Sequence, residues 1–352
     1  MVKVKIIGAT GYGGVGLIEL LSRHPEVNIQ ALVATENTGK PISSLYPHLA
    51  DYCDLPILSA EQAQGPADIV FLSTPDRVGM QLAPEELRAA GTRVIDFSGD
   101  FRFNTPEAYA DYASRIGLPT EHAAPELLPE SVYGLTEVHR KAFSPETRLV
   151  GNPGCFAVSC ILGLAPAMHY GLIAEDSIIC DCKTGVSGAG KKLSTSFHFS
   201  SRHENMNAYR LSGHQHVCEI ERELSLLGGQ RDLKITFTAQ AVPLCRGIMS
   251  CLYGNGIDTL QENEILDIYR AYYADAPFVR VLPSESLAGT AYVRGTNHCN
   301  LVISVDKRCN RLRVVSYIDN LMKGQAGSAV QNMNVLCGFS ETTGLAGTGM
   351  FP

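Results

Sequence analysis

The sequence lacks a surplus of basic residues, and this deficit limits the partners that the chain can bind. Its 29 lysines and arginines are outnumbered by 36 aspartates and glutamates, which gives a formal net charge of -7. A nucleic-acid-binding surface needs a positive patch that neutralises phosphates, so nucleic acid is not expected as a partner. Small anions would have to be bound by individual arginines and helix ends and not by an overall field.

Long apolar runs and paired cysteines are missing as well. No stretch reaches the roughly 20 apolar residues that a membrane-spanning helix needs, and residues 1–8 have the pattern of a strand entering a loop and not of a signal peptide. The chain has eleven cysteines without Cys-x-x-Cys spacing. We therefore expect a cytoplasmic protein without membrane association, in which most cysteines are small, reduced core residues.

Alternating strand and helix patterns predict two domains of different architecture. In the first part of the chain, strand patterns alternate with helical spacing, which is typical of a doubly wound parallel sheet. Those strands are predicted at residues 2–7, 28–34, 69–72 and 93–96, and the helices at 15–23 and 84–90. Beyond residue 151, β-rich runs with helices between them predict an α+β domain with a largely antiparallel sheet. The predicted domains are 1–150 together with about 319–352, and 151–318. Within the returning segment, residues 319–336 are predicted to be helical.

A glycine-rich turn follows the first predicted strand and precedes the first predicted helix. Gly8, Gly11 and Gly14 recur at a spacing of three, with Gly13 added, which differs from the strict G-x-G-x-x-G pattern. Such glycines permit a tight turn and close approach of the backbone, and the helix N-terminus binds pyrophosphate. The strand-turn-helix context predicts dinucleotide binding in a Rossmann-type domain.

The residues after the second strand leave the choice of dinucleotide open. Glu36 lies where an acidic residue binds the ribose hydroxyls of NAD. Thr35, Asn37 and Lys40 instead suit the 2′-phosphate of NADP.

Cys155 is the most informative single residue. It follows Gly151-Asn-Pro-Gly154 at a predicted strand-to-helix turn, where the unpaired N–H groups and positive end of the new helix favour a thiolate. Backbone amides at such a turn also stabilise the oxyanion of a tetrahedral adduct. The turn therefore predicts a nucleophilic thiol, and the alternative is an ordinary core cysteine.

Two histidines supply candidate proton-transfer groups ahead of a second predicted helix. His214 and His216 flank Gln215, and either imidazole is suited to general acid/base work near neutral pH. A helix-capping role is the structural alternative. A His-x-His pair also binds metals, but the sequence offers no matching third ligand, so no metal is expected.

Taken in order, these segments resemble the N-acetyl-γ-glutamyl-phosphate reductase family, which is related to aspartate-semialdehyde dehydrogenase. The matching segments run almost from end to end of the chain. They are Gly8-Ala-Thr-Gly-Tyr-Gly13, Gly39-Lys40, Pro47-His48-Leu49, Asp96-Phe-Ser-Gly-Asp-Phe-Arg102, Tyr133-Gly-Leu135, Asn152-Pro-Gly-Cys155, Lys183-Thr-Gly-Val-Ser-Gly-Ala-Gly190, His214-Gln-His216, Glu219-Ile220-Glu221, Arg246-Gly-Ile248, Asp319-Asn-Leu-Met-Lys-Gly324 and Gln331-Asn-Met-Asn334.

The resemblance implies NADPH-dependent reduction of an acyl phosphate to N-acetylglutamate semialdehyde in arginine biosynthesis, with release of inorganic phosphate. Cys155 matches the family nucleophile, and His214 the first histidine of its His-Arg-His stretch. We therefore assign acid/base work to His214, with His216 in reserve. Gln215 replaces the family's middle arginine. NADP(H) is the cofactor that the family implies, NAD(H) remains an alternative, and a homodimer or homotetramer is expected.

The remaining site residues are assigned in two groups. We expect the cofactor to contact Gly8, Thr10, Gly11, Tyr12, Gly13, Gly14, Thr35, Ser73, Thr74, Pro75, Ser187, Gly188 and Asn332. Residues of the second group would bind the anionic groups of the small-molecule substrate; they are Arg102, Asn152, Lys191, Arg210 and Arg246. Arginine suits phosphate and carboxylate because its planar fork donates two parallel hydrogen bonds.

Three other functions fit parts of the sequence. Reductases of a carrier-bound aminoadipyl phosphate in lysine biosynthesis, or of an aspartyl phosphate, would use the same chemistry. A non-catalytic, redox-sensing dinucleotide-binding protein would use Cys155 as its sensor. That last alternative leaves the His214 segment and the glycine-rich loop at 184–190 unexplained.

Overall fold

The chain folds into two compact units. In the computed structural model, residues 1–63, 65–229 and 232–351 are described. The first unit comprises Met1–Asp111, Pro119–Pro153 and Gln325–Ala346, and the second comprises Tyr112–Leu118, Gly154–Gly324 and the segment that begins at Gly347.

The first unit is built on a parallel sheet. Its strands are β1 (Val2–Ile7), β2 (Val27–Val33), β3 (Ile57–Leu58), β4 (Ile69–Leu72), β5 (Arg93–Asp96), β6 (Ser131–Tyr133) and β7 (Leu149–Gly151). They are ordered β3-β2-β1-β4-β5-β7-β6, and every neighbouring pair is parallel. All four residues of β4 are buried, as expected for a central strand whose two faces are both covered.

The helices in this part of the chain are short. They are α1 (Tyr12–Leu21), α2 (Gly79–Glu86), α3 (Pro106–Arg115) and α4 (Thr136–His139). Helix α1 buries an apolar stripe that includes Val15, Leu17, Ile18 and Leu21, which is the face that its helical spacing predicts.

The second unit is a mixed sheet with helices. Its helices are α5 (Cys155–His169), α6 (Phe199–Arg202), α7 (His216–Gly228) and α8 (Glu262–Tyr272). Its strands are β8 (Ile179–Thr184), β9 (Asn207–Tyr209), β10 (Thr236–Ala241), β11 (Ile248–Asn255), β12 (Val279–Leu282), β13 (Cys299–Asp306) and β14 (Arg311–Ile318). The order is β12-β13-β14-β11-β8-β10-β9, and only the β12–β13 and β8–β10 pairs are parallel. The predicted combination of a parallel Rossmann-type sheet with a largely antiparallel one is therefore confirmed.

One face of the second sheet is buried beneath helices and the other is not. Alternate residues of β8, β11 and β14 are buried, among them Cys180, Cys182 and Leu252, and α5 packs on β11 and β14. The thiols of Cys180 and Cys182 therefore lie on the same, buried face. The intervening residues, such as Tyr253 and Val315, are only half-buried.

Two predicted helices differ from those observed, and both differences have a tertiary or local cause. Helix α2 was expected at 84–90, but it runs from Gly79 to Glu86, because the Asp100 carboxylate accepts the N–H groups of Arg77 and Met80 at its start. Residues 319–336 were expected to form one helix. Instead, Asp319 Oδ1 accepts the N–H groups of Leu321 and Met322, a π-helical turn spans Met322–Ala326, and only then does α9 (Gly327–Leu336) begin.

Among the described residues, no helix combines the length and the apolar character that crossing a membrane requires. All eleven cysteines lie among those residues and have free thiols. Most of the cysteines are buried or half-buried, as small core residues are.

Candidate active site

The turn between β1 and α1 accepts only glycine at two of its positions. Gly8 has a φ of +86°, and a Cβ there would lie 2.1 Å from the carbonyl oxygen of Ser73. A Cβ on Gly14 would lie 2.4 Å from the oxygen of Gly8. No side chain caps α1, which begins after Gly11, so its first N–H groups stay available for an anion. This arrangement fits the pyrophosphate of a dinucleotide.

Three neighbouring strands bring further predicted cofactor residues to the same edge of the first sheet. The strand order places β2 and β4 on either side of β1, and parallel strands end at the same edge. Thr35 follows β2, and Ser73, Thr74 and Pro75 follow β4. The Thr74 hydroxyl is buried and has no hydrogen-bond partner among the described residues. An orphaned hydroxyl at this edge is suited to pair with a cofactor.

Tyr46 is a residue of this region that the sequence analysis missed as a functional candidate. Its hydroxyl donates a hydrogen bond to the carbonyl oxygen of Thr10, at 2.7 Å, and so fixes the glycine-rich turn from outside. The segment Pro47-His48-Leu49 beside it was recognised only as a matching motif.

Asn152 is held by hydrogen bonds from all of its polar groups. Its N–H donates to Asp96 O at 2.7 Å and its carbonyl accepts from Arg102 Nε at 2.8 Å. Its side-chain Nδ2 donates to Gln325 O, and its Oδ1 accepts from Asn332 Nδ2. Because the second hydrogen of Asn332 Nδ2 is donated to a backbone carbonyl, direct cofactor contact through that amide is not favoured. Asn332, Asn152 and Arg102 instead brace one turn of the first unit.

The matching segment from Asp96 to Arg102 forms a buried acidic cluster. Burial, and then the neighbouring Asp100 carboxylate, raise the pKa of Asp96 well above its ordinary value. The Asp100 carboxylate accepts N–H groups at the start of helix α2. Gly79 packs against Asp96, since a Cβ on Gly79 would lie 2.3 Å from Asp96 Oδ1. The motif therefore shapes this part of the fold, and Arg102 also donates to Phe97 O from a buried position.

Cys155 is the first residue of helix α5 in the second unit, as predicted. Gly154 is the N-cap, with extended dihedrals and no side-chain cap, so the helix presents its N-terminal N–H groups beside a half-buried thiol. Gly324 packs against that side chain: a Cβ on Gly324 would lie 2.7 Å from the Cβ of Cys155. The sequence marked Gly324 only as part of a motif and gave no sign of this contact.

Glu219 forms a hydrogen bond with the turn that precedes Cys155. Its fully buried carboxylate accepts the N–H of Gly154 at 2.8 Å. Glu219 also lies in the first turn of α7, where a helix dipole favours negative charge.

His214 lies in an aromatic cluster that includes Phe156, the residue after Cys155. Its ring centroid is 5.5 Å from that of Phe156, 5.2 Å from Phe237 and 5.7 Å from Tyr209. Burial, followed by the charges of His216 and Arg210, lowers the pKa of His214 far below its usual value. Its Nδ1 accepts the N–H of His216 at 3.2 Å, so the proton of the neutral ring is assigned to Nε2. Burial, and then the charge of Cys155, raise the pKa of Tyr209.

The predicted anion-binding cations of the second unit differ in their partners. Arg246 donates to the fully buried carboxylate of Asp319, with an Nη2–Oδ2 distance of 3.0 Å. Arg210 donates to the side-chain oxygen of Gln215, and Lys191 is exposed. No group of side chains suited to bind a metal occurs within residues 1–63, 65–229 and 232–351.

The second glycine-rich loop is tied down by Asn320. Asn320 donates to the hydroxyl of the buried Ser187 at 2.9 Å and accepts the N–H of Gly247 at 2.7 Å. Gly188 lies in the short 3-10 turn Val186–Ala189 within this loop. The backbone N–H groups of this turn are engaged as well: Val186 donates to Leu244 O, Ser187 to Cys245 O and Gly188 to Gly185 O. Hydrogen bonds within the second unit therefore fix this loop.

Comparison with known proteins matches each of the two units to a described protein family. Residues 3–145 match the family described as "Semialdehyde dehydrogenase, NAD binding domain", and residues 155–320 match "Semialdehyde dehydrogenase, dimerisation domain". The chain is 44% identical over 353 residues to an N-acetyl-gamma-glutamyl-phosphate reductase of Pelotomaculum thermopropionicum, covering 100% of this chain and 99% of that protein. It is 43% identical over 354 residues, covering 100% of both chains, to the corresponding reductase of Desulforudis audaxviator.

Solved structures agree on the fold. Aspartate semialdehyde dehydrogenase II of Vibrio cholerae matches with a TM-score of 0.73 at 18% identity, covering 96% of this chain and 98% of that one. The enzyme of Candida albicans, solved with NADP, matches with a TM-score of 0.66 at 18% identity and the same coverage. Fold and site thus define an oxidoreductase of the semialdehyde dehydrogenase class with an NAD(P)-binding domain. Within that class, the chain belongs to the N-acetyl-γ-glutamyl-phosphate reductase family.

Proposed function

We propose that the chain reduces N-acetyl-γ-glutamyl phosphate to N-acetylglutamate semialdehyde, a step of arginine biosynthesis. The relatives that it matches over their full length carry that name. The observation that carries the chemistry is the thiol of Cys155 at the N-terminus of α5, which no side chain caps, next to Phe156, whose ring contacts that of His214. An activated thiol with an oxyanion-stabilising helix end is the equipment for covalent acyl transfer.

In the proposed reaction, Cys155 thiolate attacks the acyl carbon, the C–O bond to phosphate breaks, and a thioester and inorganic phosphate result. The nicotinamide supplies a hydride when the cofactor is bound. Hydride addition to the thioester leaves a tetrahedral oxyanion on Cys155, whose collapse expels the aldehyde and restores the thiolate. The one proton that the overall reaction consumes ends on the phosphate product.

His214 is proposed to stabilise the oxyanion. In the ligand-free protein its ring is neutral and its Nδ1 is engaged with the His216 N–H, so Nε2–H is the group that can donate a hydrogen bond. Such a donor acts at the atom where negative charge develops. Full proton transfer by His214, the role expected from its sequence position, would require the bond to His216 to open. His216 remains the reserve for that role.

NADP(H) is the proposed cofactor. Support comes from exposed Lys40, whose ammonium lies 3.3 Å from Asn37 Oδ1 just beyond strand β2, where a 2′-phosphate is bound in this fold. Glu36 is exposed in the same turn and would favour NAD instead. Removing the Lys40 charge should raise the KM for NADPH more than the KM for NADH.

A homodimer is proposed through the open face of the second sheet. This face carries the half-buried side chains of Met249, Cys251, Tyr253, Val315 and Tyr317. The match of residues 155–320 to a dimerisation domain supports a second copy of this chain as the partner. Tetramers would need an additional surface.

The substrate assignment is tested by direct assay. Purified protein is expected to oxidise NADPH with N-acetylglutamyl phosphate and to release one phosphate per NADPH. Aspartyl phosphate and a carrier-bound aminoadipyl phosphate serve as comparison substrates. A higher kcat/KM with either of these would overturn the assignment.

A further inference from the structure

Arg210 has an unusual backbone and a neutral side-chain partner. It follows strand β9 with a φ of +49°, in the left-handed region that non-glycine residues seldom adopt. Its guanidinium donates to the side-chain oxygen of Gln215, the residue that precedes helix α7. Strained backbone of this kind persists where the surrounding structure imposes it, and it clusters at functional sites.

The charge of Arg210 is not compensated, in contrast to other arginines of the second unit. Arg246 pairs with the buried carboxylate of Asp319. Arg202 is buried and donates to the backbone oxygens of Asn205 and Ala241. For Arg210, which is exposed, no carboxylate of the described residues forms an ion pair. An amide acceptor orients a guanidinium without neutralising it.

Arg210 also lies beside the nucleophile's cluster. It directly follows Tyr209, whose ring centroid is 5.7 Å from that of His214, and its positive charge contributes to lowering the pKa of His214. Phe156, the residue after Cys155, contacts the His214 ring, with the two ring centroids 5.5 Å apart. Gln215 thus orients a net cation next to the aromatic cluster that contains His214 and Phe156.

We propose that Arg210 is the receptor for an oxyanion of the substrate and that Gln215 is the positioning residue that aims it. The inference rests on the proposed function and names the group that binds the anion. One guanidinium edge is held by Gln215, which leaves the remaining N–H donors for phosphate or carboxylate oxygens. The oxyanion has two sources in the substrate, the phosphoryl group and the α-carboxylate.

The test measures anion binding without turnover, through protection of Cys155 from alkylation. Inorganic phosphate and N-acetylglutamate are titrated separately against the rate of iodoacetamide labelling at Cys155. Variants are Arg210→Met, Gln215→Met and the double substitution. Arg270→Met is the control, because Arg270 is an exposed arginine of α8 whose partner is Asp267.

Arg210→Met should raise the half-protecting concentration of one of the two anions by at least ~10-fold, since charge-assisted hydrogen bonds are lost. Gln215→Met should raise it by a smaller factor, and the double variant should match Arg210→Met because Gln215 acts through Arg210. If only the half-protecting concentration of phosphate rises, Arg210 binds the phosphoryl group of the substrate. If only that of N-acetylglutamate rises, Arg210 binds the α-carboxylate.

If both anions protect Cys155 in Arg210→Met as well as they do in wild type, the proposal that Arg210 binds the oxyanion is wrong. Additive effects of the two substitutions would overturn the positioning role of Gln215. Because the readout needs no reduction of substrate, it is independent of the substrate assay: anion protection that depends on Arg210 can persist even if N-acetylglutamyl phosphate proves to be the wrong substrate.

Discussion

At the scale of single residues, the nucleophile's position depends on a glycine that is distant in sequence. The absence of a side chain at Gly324 leaves the space that the Cys155 side chain occupies. A Cβ at 2.7 Å from another Cβ is closer than real contacts allow, so one of the two backbones must move.

Gly324→Ala should therefore displace Cys155 and lower kcat/KM by about 10²-fold, the scale of a misplacement near 1 Å. Gly213→Ala is the control, because a Cβ there meets nothing within 4 Å. Steady-state kinetics of both variants, with circular dichroism to confirm folding, decide the matter. Equal activity of Gly324→Ala and wild type would show that the contact does not position the thiol.

The identity of the nucleophile candidate could be predicted from the sequence, but its neighbours could not. Cys155 and His214 stand in local patterns of glycine, proline and histidine that carry chemical meaning by themselves. Gly324 and Gln215 acquire theirs only through contacts in three dimensions. For Asn332 the cofactor contact stays a prediction, and the structure adds that both of its amide hydrogens are donated to protein oxygens.

At the scale of elements, the start of helix α5 is connected to helix α7 through Glu219. The carboxylate satisfies the N–H of Gly154 immediately before the nucleophile. It also brings negative charge to the N-terminus of α5, where it competes with a thiolate for the same positive helix end.

Two substitutions separate the hydrogen bond from the charge. Glu219→Gln keeps an acceptor and removes the charge, so the midpoint of the alkylation rate of Cys155 against pH should move to lower pH, because a nearby negative charge disfavours thiolate. Glu219→Ala also leaves the Gly154 N–H without a partner and should lower the free energy of unfolding by about 1–3 kcal/mol.

Glu223→Gln is the matched control for the charge, since Glu223 is equally buried on α7 but pairs with Arg222. Its alkylation midpoint should match that of wild type. A midpoint for Glu219→Gln that stays constant or rises would exclude the electrostatic influence on Cys155.

Element types followed from periodicity, whereas several element boundaries did not. Strands β1, β4 and β5 coincide with their predicted runs. Helix α2 starts before the predicted segment because Asp100, twenty residues further on, caps it. Very short strands such as β3 and β9 have too few residues for an alternating pattern, so only pairing with their neighbours defines them.

At the scale of the whole molecule, the second sheet has one face that no helix among the described residues of the same chain covers. Buried and half-buried residues alternate along β8, β11 and β14, so the sheet is apolar beneath its helices and partly apolar on the other side. A second copy of the chain would cover that side.

Val315→Glu, in the middle of β14, should convert the protein to a monomer by placing a charge on this face. Light scattering after size-exclusion chromatography should give twice 38.0 kDa for wild type and 38.0 kDa for the variant. Leu287→Glu is the control, because Leu287 is 82% exposed and lies outside these strands. A dimeric Val315→Glu protein would place the interface elsewhere.

The central claim is that Cys155 carries the acyl group, and the most direct measurement is mass spectrometry of the protein quenched after mixing with N-acetylglutamyl phosphate but no reduced cofactor. The account predicts an N-acetylglutamyl adduct on the peptide that contains Cys155, absent in Cys155→Ser and discharged as aldehyde when NADPH is added. Turnover by wild type without any such adduct, or an adduct confined to another cysteine, would contradict it.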